Sequence, residues 1–257
     1  MPISTVSAVV LVRNEAQDLD DCLRSLSWAD ERLVIDSFSV DGSARIDDPD
    51  VRVVERRFTN FSDQREAALR LAAHDWVFFV DADERVSVQL SDEIVRRVGA
   101  EEFFGYWVPR RNRILGHWMR ATGWSPDFQL RLMDRRHAGY DRDRPVHELA
   151  KIDGRVGYLE CELLHLSYED VRGFRRQQRL YAELVADGMI RSGVRRRFTA
   201  MFFQPVREFW RRMFTLRGYR DGQVGFLLAI LMAEHEWHVQ RIFRRRRFRE
   251  CLPSSDE

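Results

Sequence analysis

The chain has 257 residues, 44% of them hydrophobic and 32% charged, which is enough to bury the core of one large domain or of a domain with an appendage. Fourteen glycines and seven prolines are too few for a collagen-like or low-complexity protein, and three widely spaced cysteines exclude a disulfide scaffold and a cysteine-rich zinc module. No apolar stretch reaches the length of a transmembrane helix, and the N-terminus lacks the features of a secretory signal.

The net charge of +1 is unevenly distributed. From Val171 to the end there are 19 arginines and 9 acidic residues, so the first 170 residues carry a net charge of −9. An acidic N-terminal part suits a bound metal ion, and a basic C-terminal part suits an anionic surface.

The first hundred residues alternate short apolar runs with amphipathic stretches, a pattern typical of βαβ units and a parallel sheet. The predicted strands are Val6–Val12, Arg32–Ile35, Val51–Val54 and Trp76–Val80. The predicted helices are Glu15–Trp28, Ser62–His74 with Ser62 as the N-cap, and Ser87–Val98.

From residue 103 the pattern changes to strands that are joined by long loops. These strands are Phe104–Val108, Phe128–Met133 and Val156–Glu160. From residue 169 onward the chain reads as helical. The predicted fold class is therefore α/β: a mainly parallel sheet flanked by helices over residues 1–168, followed by a basic helical appendage over residues 169–257.

Three predicted strands end in polar clusters, which a parallel sheet would bring to one edge. The clearest is Asp81-Ala82-Asp83, where two carboxylates follow a buried strand and need compensation by a cation or by strong donors. Mg²⁺ and Mn²⁺ bind carboxylate and phosphate oxygens, so this motif predicts a metal–diphosphate site. The alternative is a solvated turn with acidic helix caps. Asp36 is a candidate to accept a hydrogen bond from a base or a ribose, whereas Asp41-Gly42-Ser43 equally fits an Asx-turn and helix cap.

The segments VVLVRNEA, VIDSFSVDGS and WVFFVDADER resemble family 2 glycosyltransferases, which have the GT-A fold. Beyond them, GWSPDFQLRLMDR, PVHE and LLHLSY resemble the subgroup that builds the lipopolysaccharide core. The resemblance implies a GT-A-like domain and an inverting transferase. It implies a nucleotide-diphosphate sugar as donor, with UDP-glucose suggested by the subgroup, a divalent cation, and a lipid-linked saccharide acceptor.

Carried over to this sequence, the resemblance assigns the nucleoside to Glu15 and Asp36 and assigns metal and donor to Asp81 and Asp83. Arg65 corresponds to a donor-contacting arginine. Two positions depart from the pattern. Ser37 stands where many relatives have a second acidic residue, and Glu66 stands where the subgroup often has asparagine.

An inverting transfer needs a general base to take the proton of the acceptor hydroxyl. Asp127 is the first candidate and Glu148 the second, while a helix cap or a salt bridge to Arg131 is the structural alternative for Asp127. His147 and His165 are further candidates to bind metal or diphosphate, although a single histidine is more often structural. Trp118 and Trp124 are candidates to stack on a sugar ring, with core packing as the alternative.

The C-terminal part interleaves arginine with aromatic residues. We expect it to bind the membrane surface, with simple helix packing as the main alternative, and we expect no nucleic-acid partner because no helix-turn-helix, zinc-finger or RNP-like pattern is present. These expectations place the protein in the cytoplasm, peripheral on the inner membrane. The alternative function is that of a non-catalytic protein of the same fold, which binds a nucleotide sugar or a membrane surface.

Overall fold

The computed structural model describes residues 5–99, 102–140, 150–194 and 199–250. Within them the chain forms two compact units. Unit 1 consists of the described parts of Met1–Arg111 and Asp127–Leu166. Unit 2 consists of those of Asn112–Pro126 and Ser167–Glu257. The chain therefore passes between the units at three points, and neither unit is one continuous stretch of sequence.

Twelve strands and six α-helices make up the described chain. The strands are β1 (Val6–Val12), β2 (Glu31–Asp36), β3 (Val51–Glu55), β4 (Trp76–Asp81), β5 (Glu84–Arg85), β6 (Gly105–Ile114), β7 (His117–Trp118), β8 (Phe128–Asp134), β9 (Ala138–Gly139), β10 (Lys151–Ile152), β11 (Val156–Tyr158) and β12 (Leu163–Leu166). The helices are α1 (Ala16–Ser25), α2 (Phe61–Leu71), α3 (Val88–Arg97), α4 (Val171–Arg191), α5 (Ala200–Trp210) and α6 (Gly222–Glu250).

The main sheet has the strand order β3-β2-β1-β4-β8-β6-β12-β5. The first four strands in this order are parallel to one another, as the βαβ pattern predicts. From β8 onward most pairs are antiparallel, because β8 runs against both β4 and β6, and β12 runs against β5. The sheet is thus parallel in the half that contains β1 to β4 and mixed in the other half.

The apolar runs of β1 and β4 are buried on both faces, because helices cover both sides of the parallel strands. Alternate residues of each strand enter different cores. Val10 and Phe78 pack in the core that contains residues of α1 and α3, whereas Val9 and Phe79 pack in the core that contains residues of α2. This layering fixes the carboxyl ends of the strands at one edge of unit 1.

Side-chain caps define the starts of three helices. Asn60 accepts a hydrogen bond from the amide of Asp63 (2.8 Å) at α2, and Ser87 and Asp170 cap α3 and α4 in the same way. The predicted cap of α2, Ser62, is wrong. Ser62 lies inside the first turn and is buried, and the helix begins at Phe61 because Asn60 provides the cap.

Unit 2 contains α4, α5 and α6 together with the segment 112–126. Its core includes Phe174 of α4 and Leu228 and Leu231 of α6. The 3₁₀ turn Gly218–Asp221 carries the fully buried Asp221, which accepts hydrogen bonds from the Arg120 amide (2.8 Å) and the Thr122 hydroxyl (2.6 Å). Among the described residues, no helix combines the length and the apolar character that are needed to span a membrane.

The buried carboxylate of Asp221 should be important for the stability of unit 2. In Asp221→Ala the Arg120 amide and the Thr122 hydroxyl lose their buried acceptor, so we expect the free energy of unfolding to fall by about 3 kcal/mol. Asp170→Ala, which removes an exposed helix cap of the same unit, should cost only about 1 kcal/mol. Urea unfolding followed by circular dichroism measures both variants, and equal losses would contradict the prediction.

Candidate active site

The carboxyl ends of β1, β2 and β4 lie side by side, which confirms the predicted convergence of the three polar clusters. In the parallel register Val12 is opposite Asp36, and Leu11 is opposite Asp81. The residues that follow these strands therefore begin at the same edge of the sheet, where α/β proteins bind their ligands.

The loop after β2 is tied to the loop after β1 by hydrogen bonds. Ser43 Oγ accepts from the Glu15 amide (2.9 Å), and Asp41 Oδ2 accepts from the Ala16 amide (3.0 Å). Asp41 Oδ1 also accepts from the Ser43 amide (3.0 Å). The Asp41-Gly42-Ser43 segment therefore provides the cap that α1 lacks from its own residues, which is the structural alternative stated for it above.

Asp36 is fully buried at the end of β2. Its Oδ2 accepts a hydrogen bond from the Ser39 amide (2.9 Å), whereas its buried Oδ1 has no hydrogen-bond partner. A buried carboxylate oxygen without a donor is energetically costly. Of the residues predicted to bind the nucleoside, Asp36 thus has an acceptor available for a ligand.

A cavity of about 240 Å³ lies beside this strand end. Its walls come from the ends of β1 and β2, from Phe58 and from α2: Leu11, Val12, Arg13, Glu15, Ser37, Phe58, Phe61 and Gln64. The rings of Phe58 and Phe61 meet edge to face with centroids 4.9 Å apart. The sequence reasoning missed both aromatic residues, because they lie on a loop and at a helix start rather than in a recognised motif.

An ion-pair network begins at Asp81, the first carboxylate of the Asp-x-Asp motif. The buried guanidinium of Arg131, only 3% exposed, contacts both oxygens of Asp81 and also Glu84 Oε1 (2.8 Å). Glu84 is completely buried and also pairs with Arg110 (3.3 Å). The network thus consists of two acids and two arginines on β4, β5, β6 and β8.

The network continues to Asp127, the first predicted general base. Arg110 Nε donates to Asp127 Oδ2 (2.8 Å), and the side-chain nitrogen Nε2 of Gln129 donates to Asp127 Oδ1 (2.6 Å). The salt-bridge partner of Asp127 is therefore Arg110 and not Arg131. The sequence reasoning did not identify Arg110 or Glu84, since a single charged residue in a strand gives no signal of burial.

Burial and charge act in opposite directions in this network. Burial alone would raise the pKa of Asp81, but the positive charges of Arg131 and Arg65 hold that pKa below its ordinary value. Burial raises the pKa of Glu84, and the nearby charge of Arg131 opposes this effect. Burial would lower the pKa of Arg131, yet Asp81 and Glu84 raise it, so the arginine stays charged.

The second carboxylate of the motif, Asp83, is partly exposed and has a different partner. His165 Nε2 lies 3.1 Å from Asp83 Oδ2, and the Leu166 amide donates to the Asp83 carbonyl (2.9 Å). A carboxylate and an imidazole are both ligands for Mn²⁺, and Mg²⁺ or Mn²⁺ at a phosphate site needs few protein ligands because the phosphates complete its coordination. Within the described residues there is no group of three or more His, Cys, Asp or Glu side chains that could hold a metal. The donor set of Asp83 and His165 therefore fits a cation that is shared with a diphosphate.

Glu15 follows β1 at the same edge and is surrounded by acids. The pKa of its carboxyl is raised to about 7, first by loss of hydration and then by the negative charges of Asp83 and three further aspartates. The edge is therefore electrostatically suited to a cation.

Arg65 and Glu66 of α2 have separate environments. Arg65 Nη2 lies 3.9 Å from Asp81 Oδ1, and its guanidinium lies over the Phe79 ring at 5.5 Å. Glu66 Oε2 accepts a hydrogen bond from the Tyr140 amide (3.0 Å) and Oε1 pairs with Arg70 (2.9 Å). Glu66, which stands where the subgroup often has asparagine, thus has a structural role of its own.

The remaining candidates are His147, Glu148 and two tryptophans. His147 and Glu148 lie outside the described residues. Trp124 belongs to unit 2, where it packs edge to face on Phe174 and lies under the guanidinium of Arg212 at 4.6 Å. Trp118 also belongs to unit 2, with Arg113 over its ring at 5.9 Å. Packing within unit 2 accounts for both tryptophans.

The sequence matches the family described as glycosyl transferase family 2 over residues 7–148, more than half of the chain. The chain belongs to this family. Family 2 membership confirms the resemblance carried by the strand-end motifs. The GT-A-like α/β fold that the resemblance implied is also confirmed, as are the C-terminal helices that the sequence pattern predicted.

Among family 2 relatives, the lipopolysaccharide core biosynthesis glycosyltransferase LpsC of Rhizobium meliloti is 28% identical over 100% of this chain and 98% of its own length. The SPbeta prophage-derived glycosyltransferase SunS of Bacillus subtilis is 31% identical over 39% of this chain and 25% of its own length. The crystal structure of S. aureus TarS 1-349 aligns with 95% of this chain and 91% of that chain, with a TM-score of 0.49 and 14% identity.

Removal of Arg131 should leave the buried Glu84 with only Arg110 as a described cationic partner, and should deprive the partly exposed Asp81 of the guanidinium that contacts both of its oxygens. We expect Arg131→Met to lower the free energy of unfolding by about 3–5 kcal/mol at neutral pH. The loss should shrink in acid, where Asp81 and Glu84 take up protons. Arg24→Met, which breaks an exposed pair with Asp21, is the control and should leave stability almost unchanged. Urea unfolding as a function of pH tests this, and a small, pH-independent loss for Arg131→Met would count against it.

The raised pKa of Glu15 predicts a pH-dependent penalty. Because the folded-state pKa of this acid lies above its ordinary value, ionisation opposes folding, and stability falls as pH rises from about 4.5 to about 7. Glu15→Gln should therefore stabilise the protein above pH 7 by about 1 kcal/mol after solvent screening, and should have no effect near pH 4. Glu55→Gln, at the exposed end of β3, is the control. Thermal unfolding at the two pH values would contradict the prediction if Glu15→Gln stabilised equally at both.

Proposed function

We propose that this family 2 glycosyltransferase transfers a sugar from a nucleotide-diphosphate sugar to a lipid-linked saccharide, with inversion at the anomeric carbon. The observation that carries the proposal is the meeting, at one sheet edge, of a buried acceptor, a small cavity and the Asp81/Asp83 motif. The similarity to LpsC along the whole chain supports a lipopolysaccharide core saccharide as acceptor.

The nucleoside would occupy the 240 Å³ cavity beside β2. Asp36 Oδ1 would accept a hydrogen bond from the base, and Phe58 and Phe61 would provide apolar walls. Glu15, which lines the same cavity, would contact the ribose. UDP-glucose is the donor that we propose to examine first.

The diphosphate would lie beside Asp83 and His165, which would hold the divalent cation together with phosphate oxygens. The cation, when bound, neutralises the negative charge that develops on the departing diphosphate. Arg65 adds positive charge at the same place. Asp81 was predicted as a metal ligand together with Asp83. With both of its oxygens held by Arg131, it would act mainly by positioning the turn.

Asp127 would serve as the general base. It would take the proton of the acceptor hydroxyl while the hydroxyl oxygen attacks the anomeric carbon and the bond to the diphosphate breaks. Arg110 and the side chain of Gln129 hold the carboxylate of Asp127 in place. One of these two hydrogen bonds would break when Asp127 binds the acceptor hydroxyl. Glu148, outside the described residues, remains the second candidate.

The helical part, residues 169–257, would hold the enzyme at the cytoplasmic face of the inner membrane, where a lipid-linked acceptor is accessible, and we propose no nucleic-acid partner. The non-catalytic alternative rested on Ser37 and Glu66. Ser37 Oγ accepts a hydrogen bond from the side-chain nitrogen Nε2 of Gln64 (3.1 Å), and Glu66 accepts one from the backbone amide of Tyr140. Both residues that depart from the family pattern therefore have local structural partners. The enzymatic proposal is accordingly preferred.

Isothermal titration with UDP, in the presence of Mn²⁺ and then of EDTA, tests the donor site. Wild type should bind in a metal-dependent way. Asp83→Ala should weaken binding at least tenfold in Mn²⁺ and lose the response to EDTA, because the cation loses a ligand. Asp36→Asn should weaken binding with and without metal.

The control for this titration is Asp92→Ala, which removes an exposed acid of α3 in the same unit and should bind UDP like wild type. Failure of the wild type to bind UDP, GDP, CDP and dTDP would overturn the nucleotide-sugar proposal. Binding that is unaffected by both Asp83→Ala and EDTA would overturn the assignment of the cation.

A further inference from the structure

The surface of α5 and the turn that follows it carries a continuous row of exposed apolar side chains. Phe203, Val206, Trp210 and Phe214, here called the α5 stripe, are three and four residues apart and so share one helix face. They are 69%, 55%, 54% and 57% exposed, and the Trp210 and Phe214 rings stack at 4.9 Å. Soluble monomers rarely expose apolar patches of this kind, so the stripe calls for a binding partner.

The charges around the α5 stripe are positive. Arg207, Arg217 and Arg220 are exposed, and between residues 199 and 220 the sequence has one acidic residue. This residue, Glu208, is already paired with Arg211 and Arg212 at 2.8 Å each. The surroundings of the stripe therefore favour a partner with negative charge.

Helix α4 has a second apolar row that differs in charge. Leu180, Tyr181, Leu184 and Val185 are exposed, but acidic residues alternate with them on the same helix. Glu183 lies 3.7 Å from Arg246, and Asp187 contacts the same arginine. The α4 row thus has two acids beside its apolar residues, whereas the α5 stripe has one, Glu208, which is held by two arginines.

We propose that the α5 stripe lies in the headgroup–acyl boundary of an anionic lipid bilayer. Aromatic side chains enter this boundary readily, and exposed arginines bind the lipid phosphates. Arg207 lies four residues after Phe203 and three before Trp210, so it lies beside the stripe on the helix surface. This inference rests on the proposed membrane attachment and assigns it to one element.

A second copy of the chain is a less suitable occupant. Two stripes that packed together around a two-fold axis would bring the same arginines of both copies towards each other, which costs energy without an acid between them. An anionic lipid bilayer provides an apolar environment for the α5 stripe and negative charge for the arginines around it.

Vesicle flotation with the full chain tests the proposal. Wild type should bind phosphatidylcholine vesicles that contain phosphatidylglycerol, more weakly at high salt, and should bind phosphatidylcholine alone poorly. Phe203→Ser/Trp210→Ser should lower the partition coefficient at least about tenfold. Arg207→Gln should lower it about fivefold and reduce its salt dependence. The matched control is Leu180→Ser/Leu184→Ser on α4, which should bind like wild type.

The circular dichroism and melting of each variant are measured in parallel. Should the double variant lose helical signal, Phe203→Ser alone carries the test with a loss of about threefold. Equal partition of the α5 and α4 variants would overturn the role of the stripe and leave membrane attachment in place. Absence of wild-type binding to any vesicle would overturn both the role of the α5 stripe and the proposed membrane attachment. The UDP titration would still decide the transferase proposal. A dimer that dissociates only in the α5 variant would overturn the lipid assignment and give the stripe to a second copy.

Discussion

The buried guanidinium of Arg131 is the interaction on which the site depends. Asp81 ends the most apolar strand of the sheet, and Glu84 is completely enclosed, so two negative charges would be very unfavourable there without a cation. Arg131 lies on β8, which is antiparallel to β4, so the sheet pairing itself brings the arginine to the Asp-x-Asp turn. The mixed half of the sheet thus stabilises the charged edge of the parallel half.

The same network joins the two ends of the proposed reaction. Glu84 connects Arg131 to Arg110, and Arg110 holds Asp127, so the donor side and the general base share one set of ion pairs. A substitution at either end should therefore be felt at the other, because interacting buried charges are not independent. This coupling would help to keep Asp127 and the Asp81–Asp83 turn in a fixed relation.

Much of the parallel half could be predicted from sequence, because β1 and β4 are continuous apolar runs and because β2 and β4 end in aspartates. The prediction from sequence was less successful where the role of a residue depends on its contacts in the folded chain. Asn60 caps α2 in place of Ser62. Both residue types are good N-caps, so the sequence alone does not show at which of the two the helix begins. Glu84, Arg110, Phe58 and Phe61 were missed because their burial and pairing depend on strands that are distant in sequence. Asp41 and Ser43, in contrast, were read correctly as turn and cap alternatives.

The segment 112–126 has a consequence for how this enzyme can change during evolution. It lies between two parts of unit 1 along the chain, yet its Thr122 and Trp124 are held by Asp221 and Arg212 from the last quarter of the sequence. The C-terminal helices are therefore not a detachable module. A recombination event that exchanged them between family members at residue 168 would separate Asp221 from the hydroxyl and amide that it satisfies. Unit 2 should thus change by substitutions on its exposed helix faces, or by exchange of both segments together, rather than by simple domain shuffling.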